Sequence, residues 1–142
     1  MRATLLLADA AQAVDNTLFI LGGGWSVTGP GPTTMAIALK VEVPWDQTNR
    51  QHRWRIELLD ADGRQVLLAG PDSAQPLILA GEFEVGRPAG TPEGTPIDLA
   101  MALNLGAVPF PADQRLVWKL WINEQTTEDW ELRFTTRPVT PT

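Results

Sequence analysis

Large apolar side chains recur at every second position in run after run of this chain, and almost nowhere at helical spacing. In "TTMAIALKVEVPW", Met35, Ile37, Leu39, Val41 and Val43 share one face, while Ala36, Ala38, Lys40 and Glu42 share the other. Period two belongs to strands, because successive side chains leave the backbone in opposite directions. "HRWRIELLD" sets Trp54, Ile56 and Leu58 against Arg53, Arg55 and Glu57. "PLILAGEFEV" sets Leu77, Leu79, Phe83 and Val85 against Ile78, Glu82 and Glu84. "IDLAMALNL" sets Leu99, Met101, Leu103 and Leu105 against Asp98, Ala100, Ala102 and Asn104. Two further stripes follow: Leu116, Trp118, Leu120 and Ile122, then Trp130, Leu132 and Phe134 opposed by Glu131, Arg133 and Thr135.

Turn chemistry separates these runs. "DADG" (Asp60 to Gly63) predicts a hairpin turn, with glycine free to take a positive φ. "GRPAGTPEGTP" (Gly86 to Pro96) and "VPFPAD" (Val108 to Asp113) read as loops, and the prolines fall at strand ends and in loops, where no ladder donor is lost. One short segment, "DAAQAVD" from Asp9 to Asp15, is a candidate for a single helical turn. The pattern predicts an all-β chain: an antiparallel two-sheet β-sandwich, Ig-like or C2-like, of about seven to nine strands. Residues 1–142 form one domain, with Trp54, Leu58, Phe83, Leu103, Trp118, Leu120, Trp130 and Phe134 in one core.

Composition removes several functions. The net charge is -6 and no basic run exists, so neither nucleic acid nor an anionic membrane surface is an expected partner. With no cysteine and one histidine, the chain has no disulfide, no thiolate and no zinc site of the Cys/His kind. The apolar run Leu5 to Ala8 is too short for a signal peptide and Asp9 interrupts it. No segment reaches the ~20 apolar residues of a membrane span. A soluble, cytoplasmic protein without a cofactor is the expectation.

The residues with side chains suited to chemistry are few. Gly22 to Gly24 follow the apolar "TLFIL", but Trp25, Val27 and "GPGP" come next, with no lysine and no helix to cradle a phosphate. The glycines predict a bulge or corner that brings Trp25 over the end of the sandwich. "GWSVT" lacks the second glycine of a nucleophile elbow. His52, in phase with Trp54, is expected to be structural. Glu82 and Glu84 share a face about 7 Å apart, a spacing open to a glycosidase pair but usual for surface glutamates. Asp60, Asp62 and Gly63 resemble the start of a calcium loop, yet twelve-residue spacing places Pro71 where a bidentate glutamate belongs. Asp46 and Asp72 remain as loop carboxylates that nearby loops could bring to the same place. No metal ligand set and no catalytic set is complete.

Binding is therefore the function class left open. Trp121 falls out of phase with Trp118 and is expected on the opposite face beside Val117 and Lys119, while Trp25 and Trp45 lie in loops. Ala36, Ala38, Ala100 and Ala102 occupy nominally outer faces, although alanine is depleted in exposed strands. Small side chains admit a second layer, which predicts either a homodimer through this face or a cover from the same chain.

Some longer stretches have a recognisable character: "LADAAQAVDNTLFILGGGW", "ALKVEVPWDQTN", "IELLDADG" and "FEVGRPAGTPEGTPIDLAMALNL". Together, from about Ala8 to Phe134, they resemble a family of small bacterial proteins, abundant in actinobacteria, known only as a domain of unknown function. The distinctive pieces are "ADAA", the glycine run ending in Trp25, "VPW" at Val43 to Trp45 and "GRP" at Gly86 to Pro88. The resemblance implies a compact all-β domain of the cytoplasm and supplies no catalytic residue, cofactor or substrate. The expected function is a non-enzymatic interaction or structural module that binds a protein partner or itself. The alternative is a ligand-binding module, for carbohydrate or calcium, built on loop tryptophans and aspartates.

Overall fold

Strand β4 (Gly31–Val43) shows why the chain folds as it does. Its odd-numbered residues Met35 to Val43 are all large and apolar, and all are buried. They face Ile56, Leu58, Leu116, Trp118, Leu120 and Phe134 across a single core. In a computed structural model describing residues 1–70 and 72–139, this core lies between two sheets. Pro71, the position reached by the calcium-loop spacing, lies outside the described residues.

The strands are β1 (Arg2–Val14), β2 (Thr17–Gly23), β3 (Val27–Thr28), β4, β5 (Gln51–Asp60), β6 (Leu67–Leu68), β7 (Gln75–Pro76), β8 (Ile78–Glu84), β9 (Ile97–Phe110), β10 (Arg115–Ile122) and β11 (Glu131–Thr136). One sheet has the order β2-β1-β4-β9, the other β3-β11-β10-β5-β8, and β6 with β7 forms a small ribbon. The eleven strands exceed the seven to nine expected, because three two-residue strands add to eight long ones. All pairings are antiparallel except β3 with β11.

Cross-strand register carries the alternation through each sheet. Ile37 stands between Leu7 and Leu103, and Leu39 between Leu5 and Met101, all on the core side. On the second sheet Trp118 lies between Leu58 and Leu132. Aromatic packing closes one end of the core: Phe110 meets Phe134 edge-on at 5.5 Å, and Trp118 lies nearly parallel to Phe134 at 6.3 Å. No protein acceptor satisfies Trp118 Nε1. An orphaned donor costs about 1–3 kcal/mol, whereas burying an indole of ~200 Å² contributes about 5 kcal/mol, so packing wins. Of the expected core, Leu58, Phe83, Trp118, Leu120, Trp130 and Phe134 are buried, while Trp54 and Leu103 are half-buried against it.

Three local expectations are corrected. Asp9 to Asp15 is not a helical turn but the second half of β1 and the start of a two-residue turn. Asp15 and Asn16 both have positive φ, 49° and 57°, the conformation of a tight hairpin whose twist matches its strands, and this outweighs the helix propensity of the alanines. "VPFPAD" is loop only beyond Phe110, since Val108 to Phe110 continue β9 opposite Gly31 to Thr33. "DADG" does form its turn, with Gly63 at φ 82° and Asp60 Oδ1 accepting the N–H groups of Asp62 and Arg64. The pairing beyond it, however, stops at a single bridge, Leu59 to Gln65.

Trp118→Ala should lose about 3–5 kcal/mol of stability in urea unfolding, the cost of emptying a fully packed aromatic site. A loss under ~1 kcal/mol would show that the indole does not hold the two sheets together.

Candidate interaction surface

The alanine face of β4 finds its cover within the same chain. Arg2 to Ala8 of β1 pair with β4, and then β1 leaves the sheet edge and pairs with β2 instead. Ala36 and Ala38 are 0% and 2% exposed, packed with Ala8, Ala11, Leu18 and Ala102. The β1–β2 hairpin thus forms a partial third layer over the outer face of its own sheet. Of the two covers expected for Ala36 and Ala38, a second subunit or the same chain, the hairpin supplies the second. Ala100 and Ala102 on β9 are half-covered by the same arrangement.

Two side-chain carboxamides pin the hairpin down. A carboxamide offers one acceptor and two donors in nearly the geometry of a peptide unit, so it can stand in for a missing strand. Asn104, on the outer face of β9, accepts from the Ala11 N–H at 3.2 Å and donates to the Ala11 carbonyl at 2.8 Å. Asn16, at the hairpin tip, donates to the Asp98 carbonyl and accepts the Ala100 N–H, each at 2.7 Å. Where β1 gives up its ladder with β4, Asn104 satisfies the main-chain groups of Ala11, while Asn16 pairs with groups of β9, the end strand of the sheet.

The glycine run is part of the same device. Gly22 has φ 61°, and a Cβ there would lie 2.3 Å from the Asp9 carboxylate. A Cβ on Gly23 would collide with Ile20 and press on Leu6. The chain bends here, the Gly24 N–H reaches the Leu7 carbonyl, and Trp25 packs against the core. The expected corner is present, and its glycines are required by backbone and neighbour, not by a ligand.

What remains uncovered is the outermost strand. Phe19 is 58% exposed and Leu21 70%, with Ile20 between them also exposed. Val14 and Leu6 extend the apolar surface. β2 ends the sheet order, so its far edge meets no further strand among the described residues. Nothing in the sequence reading singled out Phe19, Ile20 and Leu21. The available signal was the stretch Asn16 to Leu39, which holds no charged residue, together with an apolar run that does not alternate.

The other expected site residues are dispersed and engaged. Trp121 lies on the outer face of the second sheet, as expected, with the Arg55 guanidinium 4.3 Å and the Lys119 ammonium 5.6 Å from its ring centre. Trp45 carries the Arg87 guanidinium at 4.0 Å, and Arg87 also donates to the Trp45 carbonyl and to Thr48 Oγ1. "VPW" and "GRP" are thus two halves of one packed contact. Trp25 has a buried indole N–H without an acceptor. The three tryptophans do not converge on one site, and a cation already covers one face of two of them.

His52 is 2% exposed; its Nε2–H donates to the Gln47 carbonyl and its Nδ1 accepts from Asn123, so neither nitrogen is free to move a substrate proton. Glu82 accepts from Gln51 at 2.7 Å and pairs with Arg53 at 3.6 Å. Asp60 is committed to its turn. Among the described residues no three histidines, aspartates or glutamates gather as a metal site, and no helix is long and apolar enough to cross a membrane.

A protein family described as a family of unknown function (DUF6941) matches residues 3–135. The chain belongs to this family. No curated protein matches it. The DUF6941 match takes in both carboxamide contacts, the glycine corner, the exposed strand and nearly all of both sheets, and it covers the stretch from Ala8 to Phe134 over which the resemblance was drawn.

Two variants test the layer assignment. Ala38→Arg should cost more than about 3 kcal/mol, because an unpaired guanidinium would be forced between β4 and the hairpin. An unchanged urea midpoint would mean the hairpin does not cover this face. Asn104→Ala should cost about 2–4 kcal/mol by stripping both partners from Ala11, with loss of hydrogen-exchange protection there. Protection that survives the substitution would rule out the carboxamide clamp.

Proposed function

We propose that this DUF6941 protein is a non-enzymatic interaction module whose working surface is the free edge and exposed apolar face of β2. The exposure of Phe19, Ile20 and Leu21 on an end strand carries the reading. Isolated exposed hydrophobics are ordinary, but three in succession on an open edge are not. Proteins usually defend such edges with lysine, proline or a covering loop. β2 has none of these, although the two carboxamides and the alanine bed hold it in place. A surface that is rigidly supported and left apolar suits recognition of an extended partner.

The engaged state of His52, Glu82 and Asp60 supports the non-enzymatic side of the reading. A cytoplasmic setting belongs to it as well, since a chain without cysteine draws no stability from an oxidising compartment. A photo-reactive amino acid placed at Phe19 should form protein adducts in cells, whereas the same group at exposed Arg133 should form none. Equal labelling at the two positions would remove β2 as the working surface.

A further inference from the structure

We infer that the outer face of the second sheet binds a small organic anion with an apolar body, its charged head held between Arg115 and Arg133. The site lies on the other sheet from β2 and is independent of the reading of that strand. Register builds it. On β10, Arg115, Val117, Lys119 and Trp121 point away from the core, with the parity opposite to buried Leu116, Trp118 and Leu120. Val117 stands between Arg133 of β11 and Leu59 of β5. Arg115 pairs with Thr135 and Lys119 with Glu131, so Arg133 is the diagonal neighbour of both cations. Diagonal neighbours on one sheet face lie about 7–8 Å apart, within reach of long side chains. Three cations thus surround one valine, in a chain whose net charge is -6.

Charge selects the occupant. Glu131 serves two of the cations, Lys119 at 3.3 Å and Arg133 at 3.4 Å, so both of its oxygens are engaged. Asp60, across the groove, gives Oδ1 to the N–H groups of its own turn. Exposed Arg115 takes part in no ion pair among the described residues. Like charges at this spacing repel, and an anion between Arg115 and Arg133 turns the repulsion into attraction. Two guanidiniums offer a carboxylate or a phosphate ester parallel N–H donors, the geometry those groups accept best.

Shape adds the apolar body. The cations are set in a groove of about 570 Å³, within the size range of small-molecule sites. One wall is Ser26 and Val27, fixed where the Ser26 carbonyl accepts the Thr135 N–H at 2.9 Å. The other is the turn from Asp60 to Gly63, fixed by the Asp60 side chain. Val117 and Leu59 lie between the walls, and Val27 presents a side chain that is 46% exposed. An ion alone would leave this apolar surface in water, whereas a ligand with an apolar body covers it.

Naphthoate, a planar apolar carboxylate, is the probe, followed through the amide chemical shifts of the wild-type protein. Saturable shifts should fall on Leu59, Val117 and Thr135. Naphthylmethanol keeps the rings without the charge, and inorganic phosphate keeps the charge without the rings; each should bind about tenfold more weakly. Arg115→Gln should weaken naphthoate by about tenfold without moving the urea midpoint. If Arg115→Gln fails to fold, Arg133→Gln serves the same purpose. No saturable shift in the groove at millimolar naphthoate overturns the inference, as does an unchanged affinity in the arginine variant. Naphthylmethanol binding as tightly as naphthoate reduces the site to an apolar patch, and phosphate binding as tightly reduces it to an ion site. Either result overturns the inference.

Discussion

β4 is packed from both sides, and the sizes of its side chains decide what can lie on each. Its odd-numbered residues fill the space between the two sheets. Its even-numbered residues near the middle, Ala36 and Ala38, leave room for a hairpin to settle on the opposite face. Neighbours β1 and β9 pair along its two edges. A larger residue at Ala36 or Ala38 would lift the hairpin, and with it β2, the end strand that carries exposed Phe19, Ile20 and Leu21.

Folding a hairpin back over its own sheet creates a hydrogen-bonding difficulty. β1 must leave β4 partway along, and the main-chain groups it exposes would be unpaired in an apolar layer, each at a cost of about 1–3 kcal/mol. Two asparagines hold the hairpin, and one of them supplies the partners that β1 lacks. Asn104 rises from β9 to hold Ala11, and Asn16 reaches from the hairpin tip to the backbone of β9. Gly22 completes the bend, because the space its Cβ would take is filled by Asp9. Turn, clamp and glycine corner thus serve one geometry, that of a layer held close.

The same logic accounts for the quietness of the polar residues. His52 and Asn123 are 71 positions apart in sequence and share a hydrogen bond next to the core. Arg87 crosses 42 positions to hold Trp45. Residues that looked available for chemistry or stacking are occupied in joining loops. No spacing pattern along the chain reports such pairs, because the partner lies in a strand or loop whose position is set by the fold.

The sequence by itself determined the fold class, the direction in which most strand residues point, and the major turns. A side chain's face in a strand depends only on parity, and a positive φ at Gly63 depends only on local residue chemistry. The buried Trp118 and Phe134, and the outward Trp121, were legible for that reason. Parity says which side a residue takes but not what lies there. That Ala36 and Ala38 face their own hairpin instead of a second subunit was decided by tertiary structure, as was the exposure of Phe19, Ile20 and Leu21. Both follow from where β1 leaves β4, which depends on Asn104 of β9 and on alanines of β4 and β9, and not on any period within β1 or β2.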